Sequence, residues 1–157
     1  MISVLFVCHG NICRSPMAEF ILKDLAERAG IASQIHIESA ATTREEIGNP
    51  VYPPARRKLA EHGIRCSGKT ARVLQRDDYD RFDLLIGMDW ANLLDIRRIV
   101  GGDPMAKVHL LLDYTDHPGD IDDPWYTSDF DTAWDEIEAG CIGLFHHLAN
   151  RLGKDET

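Results

Sequence analysis

Short apolar segments alternate along this chain with longer segments that have the periodicity of a helix. Four segments have the length of strands and cover residues 2–7, 35–40, 84–88 and 108–112. Apolar positions three and four residues apart predict helices over residues 16–29, 55–62, 89–100 and 130–152. Strands that alternate with helices predict an α/β fold with a parallel sheet. We expect residues 1–157 to form a single domain, a three-layer sandwich in which a four-stranded parallel sheet has helices on both faces.

Cap and turn residues mark the ends of several predicted elements. Asp89 is a suitable N-cap for the third predicted helix, and Gly101 follows that helix as a stop. Gly30 ends the first helix in the same way. The polar segments 42–54 and 113–129 are predicted to be loops, and the second is rich in aspartate. Both follow strands, so they lie near the carboxyl edge of the sheet, where ligands bind in such folds.

The loop after the first strand has the features of an anion-binding site. The strand ends at Cys8, and Ser15 with Pro16 opens the next helix. A loop between a strand and a helix N-terminus directs backbone N–H groups and the positive end of the helix dipole at one point. Gly10 and Asn11 tolerate the left-handed backbone that such a tight loop needs. The loop is therefore suited to a phosphoryl group.

A nucleophile and a fixed positive charge complete this predicted site. Arg14 carries a planar fork of donors that suits two oxygens of one phosphoryl group. Cys8 lies at the base of the loop, where positive surroundings favour its thiolate. The Cys-x5-Arg spacing is weak evidence alone, because Cys66 and Arg72 repeat it. The strand before Cys8 and the helix after it make the first copy the predicted site.

Composition and charge narrow the kinds of ligand that we expect. The formal net charge of −9 argues against general binding of nucleic acid. The 4 cysteines form no Cys-x-x-Cys pair and the 7 histidines lack metal spacing, so we expect neither a metal nor another cofactor. No apolar run is long enough to span a bilayer, and the N-terminal run lacks the basic residues of a signal peptide. We expect a cytoplasmic protein that does not act at a membrane.

Hydrolysis of a phosphate monoester through a cysteinyl phosphate also needs a proton donor that faces the nucleophile. The acidic loop after the fourth strand offers several aspartates. Asp123 is the preferred candidate because Pro124 fixes the backbone after it. Trp125 and Tyr126 follow, and they can form an aromatic wall for a phenyl ring. Asp122 is the alternative, since sequence alone does not separate these neighbours.

The nucleophile loop resembles the signature of the low-molecular-weight protein tyrosine phosphatases. It reads Cys8-His9-Gly10-Asn11-Ile12-Cys13-Arg14-Ser15-Pro16. The resemblance covers nearly the whole chain through Ser39-Ala40, Met88-Asp89 and Asp123-Pro124-Trp125-Tyr126. It implies a phosphotyrosine phosphatase in which Cys8 attacks phosphorus, Arg14 holds the phosphoryl oxygens and Asp123 is the general acid and base. The implied partners are phosphotyrosine-containing proteins and inorganic phosphate, and we expect a monomer or weak self-association.

The resemblance also implies roles for residues that support the loop. The Ser15 hydroxyl is expected to donate to the Cys8 thiolate, and it is also a candidate helix N-cap. Asn11 resembles the asparagine that holds the loop in shape, bonded to Ser39. Cys13 could form a reversible disulfide with Cys8, or be a packed thiol. The remaining members of the phosphate-binding loop are His9, Gly10 and Ile12.

Three departures from the family pattern concern support and specificity. Members usually have a histidine where this chain has Lys69, and a Lys69–Glu19 ion pair could replace it. Residues 43–46, Thr-Arg-Glu-Glu, occupy a stretch where animal and some bacterial members carry an aromatic residue. His9 lies where an aliphatic residue is common, so it faces either the pocket rim or the solvent. These positions leave the substrate preference of the pocket open.

Other functional classes compete with this interpretation. Protein arginine phosphatases resemble this family but carry a threonine at the position of Ile12, and Ile12 with the aromatic wall favours a flat phenol. Residues 63–70, from Gly63 to Thr70, fit the Walker A pattern of nucleotide-binding proteins. That segment follows a helix pattern rather than a strand, which makes a P-loop ATPase or kinase the remote alternative. A module that binds phosphotyrosine without turnover is disfavoured, because nucleophile, arginine and acid are all present.

Overall fold

The computed structural model describes residues 1–155, which form a parallel sheet with helices on both faces. The strands are β1 Ile2–Cys8, β2 Ile35–Ala41, β3 Leu84–Gly87 and β4 Val108–Leu110. The helices are α1 Arg14–Arg28, α2 Pro53–Glu61, α3 Asp78–Arg81, α4 Trp90–Val100, α5 Pro124–Thr127 and α6 Phe130–Asp155. The strand order is β2-β1-β3-β4, and every pairing is parallel. The predicted fold class is confirmed.

The two faces of the sheet are covered by different helices, and β1 shows how its sequence divides between them. Val4 and Phe6 pack into the core that α1, α2 and α6 complete. Leu5 and Val7 pack into the second core, which α4 closes. Because successive residues of a strand point to opposite faces, a strand covered on both sides needs apolar residues throughout. This explains the continuous apolar run of β1.

The register of the sheet brings several loops to one edge. Cys8 pairs with Ala41 at the carboxyl ends of β1 and β2, and Val7 pairs with Gly87 at the end of β3. The Thr42 N–H donates to the Cys8 carbonyl oxygen over 2.9 Å, which ties the beginnings of two loops together. Since β1 is an inner strand, the loop that follows Cys8 has neighbours on both sides.

The predicted N-cap of α4 is confirmed, whereas the N-cap reading of Ser15 for α1 is wrong. Asp89 Oδ1 accepts a first-turn N–H of α4 over 2.8 Å, and Gly101 ends that helix in the left-handed conformation with a φ of 85°. The first helix instead begins at Arg14, and its N-cap is Cys13. Ser15 lies inside the first turn, so its hydroxyl is available for a contact outside the helix.

The region after β4 holds more regular structure than predicted. The strand ends at Leu110 rather than at residue 112, because Leu111–Tyr114 form a 3-10 helix. Gly143 of α6 approaches this turn so closely that a Cβ there would overlap the Tyr114 carbonyl oxygen. The acidic loop beyond it contains α5, a single turn that starts directly after Asp123. These turns order the segment that carries the predicted general acid.

The last helix, α6, has the apolar stripe that the sequence predicts. Its stripe residues Trp134, Ile137, Cys141, Leu144 and Leu148 are all buried. The exposed positions of the helix are mainly polar, although Ile142 is exposed as well. Within residues 1–155, no helix combines the length and the apolarity that crossing a membrane requires.

Candidate active site

The Cys8 loop, residues 8–15, turns tightly between β1 and α1. Asn11 has a φ of 59°, in the left-handed region that asparagine tolerates, whereas Gly10 is not in that region. The Tyr52 N–H donates to the Ile12 carbonyl oxygen over 2.9 Å and fixes the loop from outside. The loop leads directly into the first turn of α1, so the positive end of that helix lies at the site.

Asn11 and Ser15 determine the surroundings of the Cys8 thiol. The Arg72 backbone N–H donates to Asn11 Oδ1 over 3.2 Å, which fixes the orientation of the amide and turns its Nδ2 toward Ser15 and Ser39. Asn11 Nδ2 donates to Ser15 Oγ over 2.8 Å. The hydroxyl hydrogen of Ser15 is therefore available to Cys8 Sγ, 2.9 Å from the oxygen. Ser15 thus places a hydrogen-bond donor at the Cys8 sulfur.

A buried polar chain continues from Asn11 behind the loop. Asn11 donates to Ser39 Oγ over 2.9 Å, and Ser39 donates to Glu19 Oε1 over 2.5 Å. Glu19 pairs with Lys69 at 3.4 Å and with Lys23 at 2.6 Å. Burial lowers the pKa of Lys69, although the negative charge of Glu19 opposes this shift. The expected Asn11–Ser39 hydrogen bond and Lys69–Glu19 ion pair are both present.

Arg14 is only 2% exposed and is fixed by acceptors on two loops. Its Nη1 donates to Asp89 Oδ2 over 2.7 Å and to the Ile121 carbonyl oxygen over 2.8 Å, and Nη2 lies 3.5 Å from Asp123 Oδ2. Burial alone would lower the pKa of Arg14, but the charges of Cys8 and the two aspartates outweigh it and raise that pKa. Both Nη1 hydrogens and one Nη2 hydrogen are directed at these acceptors, which leaves the Nε hydrogen and the second Nη2 hydrogen for a ligand.

The two neighbouring aspartates of the acidic loop have different surroundings. Asp123 lines the same pocket as Cys8 and Arg14. Its Oδ1 accepts the Trp125 N–H over 3.0 Å, which orients the carboxylate at the start of α5. Asp122 is exposed and lines a separate recess formed partly by α6. Of the two candidates for the proton donor, Asp123 is the one beside Cys8.

Cys13 lies in the same pocket as a buried thiol. Burial, followed by the charges of Cys8 and Asp123, raises the pKa of Cys13 far above its ordinary value. Its chemistry therefore differs from that expected of Cys8, although both residues belong to one loop. Cys8 and Cys13 are free cysteines in this structure. The reversible disulfide between them stays a prediction.

The walls of the pocket come from three loops. Its rim and sides are formed by His9, Gly10, Ile12, Glu45, Glu46, Trp125 and Tyr126. Trp125 and Tyr126 are 48% and 77% exposed, and Trp125 leans on the Tyr52 ring with 4.8 Å between ring centroids. His9 lies at the rim, where its Nε2 is 3.1 Å from Glu45 Oε2. The predicted aromatic wall and the predicted loop residues thus surround one opening.

Some contributors to the site are outside the sequence prediction. The sequence identifies Asp89 as a helix cap, but its second carboxylate oxygen also holds Arg14, 75 residues away in the chain. The Ile121 carbonyl is 107 residues from Arg14, and the Arg72 N–H is 61 residues from Asn11. Backbone groups carry no side-chain signal, so no sequence pattern marks them. The sequence around Asp89 indicates only its role as a helix cap and not its contact with Arg14.

Neither a nucleotide loop nor a metal cluster occurs in the part of the chain that the structure describes. Residues 63–70 follow α2 instead of a strand, and Gly63 has a φ of 73° where the chain leaves that helix. Lys69 binds Glu19 and the Ser39 carbonyl oxygen. The strand–loop–helix context of a Walker A motif is thus absent there. Among residues 1–155, no three His, Cys, Asp or Glu side chains are grouped to hold a metal ion.

The fold and the Cys8 loop together have the form of a phosphatase. The family described as low molecular weight phosphotyrosine protein phosphatase matches residues 3–156. The low molecular weight protein-tyrosine-phosphatase YfkJ of Bacillus subtilis is 41% identical over 146 residues, which cover 92% of this chain and 94% of that protein. The chain therefore belongs to the low-molecular-weight protein tyrosine phosphatase family. This confirms the predicted enzyme class, a phosphoric monoester hydrolase.

Solved structures agree with this membership. The crystal structure of YfkJ matches with a TM-score of 0.93 at 39% identity, and the match covers 96% of each chain. The structure of a Drosophila arginine phosphatase matches with a TM-score of 0.83 at 28% identity, covering 92% of this chain and 96% of that one. The same fold therefore occurs in proteins whose names give different substrates, so the substrate must be argued from the pocket.

Proposed function

We propose that this protein hydrolyses phosphotyrosine in proteins through a cysteinyl phosphate on Cys8. The convergence of Cys8, Arg14 and Asp123 in one pocket carries the proposal. The Ser15 hydroxyl, 2.9 Å from Cys8 Sγ, supports a thiolate nucleophile. Lys23 and Lys69 pair with Glu19 behind the loop. These ion pairs are evidence that the loop keeps its shape before the substrate binds.

In the first step, Cys8 Sγ attacks phosphorus, and the bond between phosphorus and the phenolic oxygen breaks. Arg14 Nε and Nη2 bind two phosphoryl oxygens while N–H groups of the Cys8 loop neutralise the remaining charge. Asp123, protonated at this stage, gives its proton to the leaving phenolate oxygen. The products of this step are the free tyrosine side chain and a phosphoryl group on Cys8.

In the second step, water attacks the same phosphorus and the S–P bond breaks. The Asp123 carboxylate takes a proton from the attacking water, so it returns to its acid form. Cys8 leaves as a thiolate, and the Ser15 hydroxyl stabilises that charge. Inorganic phosphate is released, and the enzyme is ready for the next substrate.

The composition of the pocket favours phosphotyrosine over phosphoarginine. A phenyl ring is flat and apolar, and Ile12 and Trp125 offer it apolar contacts near the loop. A guanidinium needs polar partners for its N–H groups, and Ile12 provides none where arginine phosphatases are expected to carry threonine. The arginine phosphatase alternative is accordingly not favoured.

The test is the initial rate of phosphate release from a phosphotyrosine peptide and a phosphoarginine peptide of matched sequence, measured side by side with reductant and chelator. We expect a clear preference for the phosphotyrosine peptide. A preference for phosphoarginine would overturn the substrate class while leaving Cys8 and Arg14 in their roles. Equal and negligible rates with both would overturn the proposed enzyme function.

Three wider expectations from the sequence belong to the same proposal. We propose that residues 1–157 act as one domain, that the protein works in the cytoplasm, and that it is a monomer or associates weakly. Family membership implies phosphoproteins as substrates and phosphate as product. Size-exclusion chromatography with light scattering, over a range of protein concentrations, measures the oligomeric state.

A further inference from the structure

The mouth of the pocket carries two carboxylates, whereas its base offers N–H donors for a phosphate. Glu45 and Glu46 of the loop after β2 line the same opening as Trp125 and Tyr126. Arg14 and the Cys8 loop form the base. A substrate thus meets N–H donors at its phosphate and negative charge at the groups next to it.

Both rim carboxylates are held in place by neutral or titratable partners. Glu46 Oε2 accepts from Asn49 Nδ2 over 2.6 Å, and its Cγ lies beside Gly10, 3.4 Å from where a Cβ would be. Glu45 Oε2 lies 3.1 Å from His9 Nε2, and that ring is charged only when protonated. Among the side chains of residues 1–153, no lysine or arginine forms an ion pair with either carboxylate. Their negative charge is therefore not cancelled by the fold.

From this charge pattern we propose that Glu45 and Glu46 select phosphotyrosine sites whose neighbouring residues are lysine or arginine. The proposal rests on the proposed phosphotyrosine phosphatase function. The Glu45 side chain is 67% exposed, so it can contact a peptide backbone or side chain beside the phosphotyrosine. A cationic neighbour gains attraction there, whereas an acidic neighbour is repelled by two carboxylates and by the net charge of −9.

The test compares kcat/KM for two phosphotyrosine peptides that differ only in their flanking residues, lysine in one and glutamate in the other. We expect the lysine-flanked peptide to be hydrolysed about tenfold more efficiently at low ionic strength, because exposed charge pairs are individually weak but several act together. The ratio is expected to shrink as salt is added.

Three double variants separate the effect of the rim from the charge of the whole molecule. Glu45→Gln with Glu46→Gln should lower the ratio to about twofold. Glu27→Gln with Glu61→Gln changes the net charge equally but at exposed sites outside the pocket, so it should leave the ratio near its original value. Glu45→Lys with Glu46→Lys should invert the preference. Circular dichroism and melting curves check that each variant is folded.

Three outcomes decide the proposal. A lysine preference that the rim variants remove and the control variants keep supports it. Turnover of both peptides with a ratio below about twofold, or an equal loss of preference in the two glutamine double variants, overturns it and leaves the phosphatase function intact. Failure to hydrolyse either peptide overturns the phosphatase function as well.

Discussion

The chain contains two Cys-x5-Arg segments, Cys8–Arg14 and Cys66–Arg72. Their spacing is the same, but the elements and side chains around them differ. Cys8 ends a strand, lies 2.9 Å from the Ser15 hydroxyl and shares a pocket with a buried arginine. Cys66 lies in a loop after α2, and burial raises the pKa of its thiol. The Cys66 segment therefore serves as a comparison for the proposed nucleophile, because it has the same spacing without the same surroundings.

The two arginines differ in the same way. Arg14 uses only part of its guanidinium on Asp89, Asp123 and a carbonyl, and its remaining N–H groups are available in the pocket. Arg72 pairs with the buried Asp78 at 3.1 Å and with Glu38 at 3.3 Å, which links two elements of the fold. The Cys-x5-Arg spacing alone therefore does not define the site. The elements on either side of the loop decide which copy is positioned for chemistry.

The largest expected effect is at the two cysteines. Cys8→Ser should lower kcat by about a thousandfold or more, because it removes the proposed nucleophile. Cys66→Ser should keep activity within about twofold, with a modest loss of stability from placing a hydroxyl in a buried site. Steady-state rates with para-nitrophenyl phosphate measure both. Comparable losses in the two variants would remove the distinction between the segments.

The arginines should separate catalysis from stability. Arg14→Lys is expected to lower kcat by about a hundredfold, since a lysine cannot bind two oxygens with a planar fork. Arg72→Lys should cost about 1 kcal/mol of unfolding free energy, given that its side chain is partly exposed. Its backbone N–H to Asn11 is unchanged, so activity should remain within a few-fold. Denaturant unfolding and initial rates, measured on the same samples, distinguish the two effects.

Asp123 and Asp122 test which carboxyl group is the proton donor for the Cys8 pocket. Asp123→Asn should lower kcat for phenyl phosphate by about a hundredfold and flatten the alkaline side of the pH–rate profile, which depends on the acid form of Asp123. Asp122→Asn, the matched neighbour, should leave rate and profile within about twofold. An unchanged profile in the first variant would point to a different donor.

The effect expected at the lysines behind the loop is on stability. Lys69→Met leaves the buried Glu19 with Lys23 alone and removes a donor to Ser39, which should cost about 1–3 kcal/mol of unfolding free energy. Lys23→Met should cost less, because that side chain is 44% exposed. Binding of ATP by the native protein that Lys69→Met abolishes would instead make residues 63–70 a nucleotide site.

Local signals were sufficient for the fold and for the centre of the site. The cap at Asp89 and the stop at Gly101 gave the bounds of α4, and the apolar run of β1 placed Cys8 at a strand end. The parallel topology then put the later loops beside it. Each of these inferences depends on neighbours in the chain, which a sequence displays directly.

The remaining parts of the site depend on contacts between distant residues. Nothing near Asp89 indicates that one of its oxygens caps α4 while the other holds Arg14. The position of Tyr52 behind Trp125 follows from the packing of the loop after β2 against α5, which no periodicity reports. Likewise, Glu45 and Glu46 line the pocket only because the loop after β2 lies beside the Cys8 loop.

The most direct test of the account is the trapping of the phosphoenzyme. Asp123→Asn is mixed with para-nitrophenyl phosphate, whose good leaving group needs little help from an acid, so the first step still proceeds. The second step becomes slow, because asparagine cannot take a proton from the attacking water. The sample is denatured rapidly and its peptides are analysed by mass spectrometry. We expect close to one phosphoryl group per protein, located on Cys8. Phosphoryl transfer to Cys66 or to a histidine, or release of phosphate with no labelled protein at any time, would contradict it.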